Sequence, residues 1–251
     1  MFECSDLTND PDERFQDPRI DDRFIRCLPA TDRFGSVLFV GVVHDHPASV
    51  FRVTRLLEAI SPDALAVELP PLAVTLFRLY GRDRYVPPRF GGEMSAAISA
   101  ANDASVVGID APNREYLRSL ARRLFEKRRS TGVVRTVLCD LASSFVHAAA
   151  CRVGAFVGSI TPVRLRLYSH IEYDCSLLDN PFVQASHESQ HLDQRRAFLR
   201  AIEVPQATRI IDTAREDGMV DRLRDLRSDG DVVAIVGMEH LDDVYAGVAE
   251  R

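Results

Sequence analysis

Two Gly-x-x-His segments carry the residue types most capable of chemistry, Gly41-Val42-Val43-His44 and Gly237-Met238-Glu239-His240. Each follows a short, wholly apolar run, residues 37–40 and residues 232–236. A glycine at a strand exit permits a sharp turn, which lifts the imidazole over the sheet edge instead of into the core. A third apolar run, residues 64–69, carries Glu68 near its end. Two imidazoles and a carboxylate at one sheet edge suffice for a metal site, or for a general base with an orienting partner. Asp110 closes a further run and either lines the same crevice or caps the helix that follows. Glu93 stands at a helix start after Gly91-Gly92, where the helix dipole alone favours an acidic residue. His46, just before Pro47, reads as a loop residue. His187-Glu188-Ser189-Gln190-His191 has the H-E-x-x-H spacing of a zinc-peptidase helix. The polar sequence after it, Leu192-Asp193-Gln194-Arg195-Arg196, predicts a solvated helix instead.

These positions need strands to present them. The apolar runs alternate with segments of helical period. Ser49 can cap a helix to about Ile60, Pro70-Pro71 opens one to about Tyr80, and residues 93–101 form another before a strand at 105–110. This alternation predicts an α/β fold with a mostly parallel central sheet flanked by helices. In such sheets ligands bind at the carboxyl ends of the strands. Residues 113–129, 133–157, 184–203 and 207–226 read as helical, with 133–157 as one or two mostly buried helices. They make a helical insertion in the second half, before the last strand at 232–236. Residues 1–33, rich in Asp, Arg and Pro, read as a flexible acidic arm with a short helix or edge strand near 24–28. Residues 34–251 read as a single domain.

The 251 residues are 46% apolar, which fits one folded domain. A formal charge of −6 argues against a nucleic-acid partner. Five scattered cysteines without a CxxC pair predict free thiols in a reducing, cytoplasmic compartment. No integral membrane segment is expected, because the apolar stretch 133–160 is interrupted by Arg135, Asp140, His147 and Arg152.

Taken in order, several segments resemble the motif series of TraB/PrgY domain proteins. They are Gly41-Val42-Val43-His44, Pro62-Asp63 with Val67-Glu68-Leu69, Gly91-Gly92-Glu93-Met94, Pro205 with Ala214-Arg215-Glu216-Asp217-Gly218-Met219, and residues 232–241. The resemblance spans residues 37–244. This family groups with TIKI-type, erythromycin-esterase-like and haem-uptake ChaN-like proteins. The resemblance implies a metal-dependent hydrolase or peptidase site built from His44, Glu68, Glu93, Arg215 and His240, with Gly41 and Gly237 as motif glycines. A divalent ion (Mn, Co or Zn) would be held by His44, His240 and Glu68. Glu68 or Glu93 would act as ligand or general base, and Arg215 would stabilise the oxyanion. Other branches inhibit peptide pheromone signalling. Arginines that relatives carry after the second and third strands are replaced here by Leu69-Pro70-Pro71-Leu72-Ala73 and Asp110-Ala111-Pro112-Asn113. A peptide-sequestering protein without turnover is therefore an alternative. Another is a metal-free esterase-like enzyme, with His44 as base and a glutamate orienting it. All three readings take a peptide or small molecule as partner, and an oligomer stays open.

Overall fold

The apolar runs become strands because both of their faces are covered. A computed structural model describes Cys4 and residues 16–125, 130–168 and 170–250. Its strands are β1 (Ile25–Leu28), β2 (Val37–Val42), β3 (Ala64–Val67), β4 (Ser105–Gly108) and β5 (Val232–Gly237). They form one sheet in the order β1-β2-β5-β3-β4. All pairings are parallel except β1 with β2, so the sheet is mostly parallel as expected. Every residue of β2, β3 and β5 is buried.

The helices among the described residues are α1 (Pro47–Ala59), α2 (Val74–Gly81), α3 (Gly92–Ala100), α4 (Arg114–Phe125), α5 (Thr131–Ile160), α6 (Pro181–Ala201), α7 (Gln206–Asp229) and α8 (Leu241–Ala249). Successive strand residues point to opposite faces. Leu38, Val40, Leu65, Val67, Val233 and Ile235 pack with residues of α1, α2 and α3. Val37, Phe39, Ala66, Ala234 and Val236 pack with α7 and α8. The result is three layers, helix on sheet on helix. The insertion between β4 and β5 comprises α4 to α7 and has its own core around Tyr116, Leu120, Val137 and Ile210.

Three features differ from the reading of the sequence. The edge strand expected near 24–28 is present as β1, but the arm is not free from residue 16 onward and is built into the domain. Phe24 is buried and β1 pairs with β2 from Ile25↔Val40 to Leu28↔Val37. Residues 1–3 and 5–15 of the arm lie outside the described residues. Cys4 is joined to Cys27 of β1 by a disulfide, and only Cys139, Cys151 and Cys175 are free thiols. That pairing joins residues 23 apart in the chain, and cysteine spacing does not report it. Finally, α5 is one continuous helix, one of the two expected arrangements, but it is not mostly buried. Val137, Ala148, Cys151, Gly154, Ala155 and Gly158 are its buried residues, whereas Phe145, Val146, Val153, Phe156 and Ile160 are exposed. Among the described residues it is the one helix long and apolar enough to cross a membrane.

Candidate active site

The sheet order places β5 between β2 and β3, so the carboxyl ends of these three strands lie side by side. β2 leads to His44, β3 to Glu68 and β5 to His240. Asp110 follows β4. Gly237 ends β5 at the centre of this edge. A Cβ there would lie 3.1 Å from Glu68 Oε2 and 3.4 Å from His44 Nε2. The glycine is what lets those two groups approach each other. Gly41 plays a different part from the strand exit expected of it, because β2 continues to Val42.

His44 is oriented from beneath. Its Nδ1–H donates to Glu93 Oε1 at 2.7 Å, and the Asp45 N–H donates to Glu93 Oε2 at 2.8 Å. Glu93 is 2% exposed and sits in the first turn of α3. Gly91 and Gly92 start that helix with φ of 87° and 51°, in the left-handed region. A Cβ on Gly92 would collide with the Asp45 carboxylate. Gly92→Ala is therefore expected to destabilise the protein by about 1–3 kcal/mol, the scale of a forced left-handed residue. The urea midpoint reads this, and an unchanged midpoint would contradict it.

Arg215 on α7 ties the other side together. Its Nε and Nη2 donate to the two oxygens of Asp110, each at 2.8 Å, a bidentate fork. Nη2 also reaches Glu68 Oε1 at 3.0 Å, and Nη1 lies 3.4 Å from His240 Nε2. The second Glu68 oxygen accepts the Gly237 N–H at 2.5 Å. The Nδ1–H of His240 donates to Glu216 Oε1 at 2.9 Å. Both histidines thus spend Nδ1 on a carboxylate and turn Nε2 toward the crevice. That crevice is a cavity of ≈ 250 Å³, walled further by Ile171, Tyr173, Leu192, Arg195 and Met238.

The charges follow this arrangement. Burial opposes the charged form of His44, but the Glu93 hydrogen bond and charge outweigh it and hold the imidazole up at about 9. Burial likewise opposes protonation of His240, and the bond to Glu216 with the charge of Glu68 raises it. Asp110 and Glu68 overcome the burial of Arg215 and keep it firmly charged.

The structure therefore brings His44, Glu68, Glu93, Arg215 and His240 to one crevice. Sequence reasoning left Asp110 undecided and gave Glu216 no role, although it adjoins Arg215 in the same motif. The group of described residues whose ligand atoms gather tightly enough for a metal is His46, Cys175 and His187, none of them an expected ligand. The helix of the H-E-x-x-H segment is solvated along most of its surface, as expected, but one face is not. Glu188 is fully buried, accepts from Ser49 Oγ at 2.6 Å and pairs with the equally buried Arg52.

No protein-family model, no curated protein and no solved structure matches the chain. The TraB/PrgY-type reading rests on the motif residues alone.

Proposed function

We propose that this crevice hydrolyses an ester or peptide bond in a small-molecule or peptide substrate. The observation that carries the reading is the pair of carboxylate–imidazole couples, Glu93–His44 and Glu216–His240, which present their Nε2 atoms on either side of Glu68. Glu93 fixes the tautomer of His44 with its proton on Nδ1. Once the imidazole has lost its second proton, above about pH 9, Nε2 takes a proton from an attacking water and returns it to the leaving group. Arg215, anchored on Asp110, supports the negative charge that develops on the carbonyl oxygen.

A divalent ion on His44, Glu68 and His240 is the second reading. Metal-bound histidines usually give their other nitrogen to a carboxylate, and both histidines here do so. Such an ion would make its bound water more acidic and polarise the carbonyl. Against it, Arg215 donates to Glu68 and approaches His240 Nε2, which sets a fixed positive charge among the three donors. That charge favours the acid–base reading.

Hydrolysis of a panel of activated esters and short peptides, with and without a strong chelator, tests the choice. Turnover that survives the chelator supports the acid–base crevice. Turnover that collapses and returns with Mn, Co or Zn, in wild type and equally in Cys175→Ser, contradicts it in favour of an ion in the crevice.

A further inference from the structure

The long connection between α5 and α6, residues 161–180, contains no helix or strand among its described residues, yet it walls the crevice. Tyr173 Oη donates to the His44 carbonyl at 2.8 Å, and the Ile171 N–H donates to Asp45 Oδ2 at 3.0 Å. Its first half is tied to the main core by Leu167 and Tyr168, and the His170–Asp45 pair holds its middle. At its far end Cys175 meets two imidazoles from separate elements.

We infer that His46, Cys175 and His187 bind a zinc-type divalent ion that clips this connection to α1 and α6, and so sets the wall of the crevice. His46 caps the start of α1, and His187 lies in the second turn of α6. One ligand atom from each of the three residues falls within 4.8 Å of the other two. The closest pair, His46 Nε2 and His187 Nδ1, is 3.0 Å apart. His46 and Cys175 are buried and His187 half-buried. A donor set of two imidazoles and one thiolate selects Zn²⁺ or Co²⁺ over Mg²⁺ or Ca²⁺, which prefer oxygen. Three protein ligands leave a fourth, tetrahedral position to water.

The protons balance. Binding sends the Cys175 thiol proton to solvent. The Ala48 N–H donates to His46 Nδ1 at 3.2 Å, so the His46 proton sits on Nε2, toward His187. The ion takes Nε2 and moves that proton to Nδ1, which gives up the Ala48 N–H bond and must turn toward the buried Glu188 Oε1, 3.9 Å away and outside hydrogen-bond reach before the ion binds. A carboxylate behind a metal-bound imidazole is the usual supporting arrangement. Access is provided by a second cavity of ≈ 630 Å³, which Cys175 lines together with Tyr173 and Leu177. The inference does not depend on the hydrolytic reading, since none of its ligands belongs to the crevice couples.

Cobalt(II) titration of the full chain, followed by absorption spectroscopy, tests it. Wild type is expected to develop the near-ultraviolet charge-transfer band of a cobalt–thiolate bond, saturating at a single ion per chain and displaced by zinc. Cys175→Ser should abolish the band. His187→Ala should weaken binding by about tenfold or more, at least what is lost when only a supporting partner of a metal site is removed. Because Cys175→Ser can fail to fold, circular dichroism accompanies both variants, and His187→Ala decides alone if it does. His44→Ala should keep the band, which separates this site from any ion in the crevice. No band in wild type, a band that persists in folded Cys175→Ser, or unaltered affinity in His187→Ala would overturn the inference.

Discussion

Glu188→Ala is expected to destabilise the protein by about 3–5 kcal/mol, the cost of stripping one partner from a buried ion pair. Arg52 and Glu188 both have fully buried side chains. Arg52 Nε donates to the Arg19 carbonyl at 2.7 Å and its Nη1 to the Gly41 carbonyl at 3.0 Å. The guanidinium therefore ties the N-terminal segment, the end of β2, α1 and α6 into one knot. Burial already works against its charge, and the neighbouring carboxylate is what opposes that. Without Glu188 the arginine keeps its carbonyl partners but has no counter-charge. Replacing both partners together, Arg52→Met with Glu188→Leu, should cost clearly less than the single change, since no buried charge is left behind. Urea unfolding of wild type and the two variants measures this. A loss in Glu188→Ala within about 0.5 kcal/mol, the range of ordinary surface substitutions, would show that the knot contributes little.

His44→Ala is expected to lower kcat/KM by about 10²- to 10⁴-fold, the usual worth of a positioned proton-transfer group. The imidazole has an exposed side chain, at 48%, and its Nε2 is free of any hydrogen-bond partner among the described residues. Glu93→Gln should cost less than His44→Ala, because an amide can still accept the Nδ1–H without balancing the charge. Steady-state kinetics on one activated ester gives both numbers. Equal rates for wild type and folded His44→Ala would remove His44 from the chemistry. A native circular dichroism spectrum of His44→Ala at the assay temperature, recorded beside it, keeps the loss from being one of folding.

Much of the architecture is legible in the sequence, for a physical reason. Parallel strands covered on both faces must be apolar throughout, so residues 37–40, 64–69 and 232–236 announce themselves. His44, Glu68 and His240 are then visible as polar groups at strand ends. Glu93 is readable because Gly91-Gly92 marks a helix start, and Arg215 because it keeps its place in the motif order. The neighbour relations are less readable. Nothing local says that β5 lies between β2 and β3, yet that insertion is what makes one crevice from three strand ends. Glu216 looks like any helical acid until α7 packs beside His240. Likewise, polar neighbours suggest that Glu188 is solvated, and only the buried Arg52, 136 residues earlier, explains it. The exposure of α5 is hidden too, since its apolar residues form no single stripe that would predict which side is covered.

The central claim is that the crevice breaks a bond with water. Incubating the purified chain with ester and peptide pools in heavy-oxygen water, followed by mass spectrometry, tests it most directly. The account predicts cleaved products whose new carboxylate carries one heavy oxygen, formed by wild type and lost in His44→Ala. Ligands recovered intact after long incubation, or cleaved equally by both proteins, would contradict it.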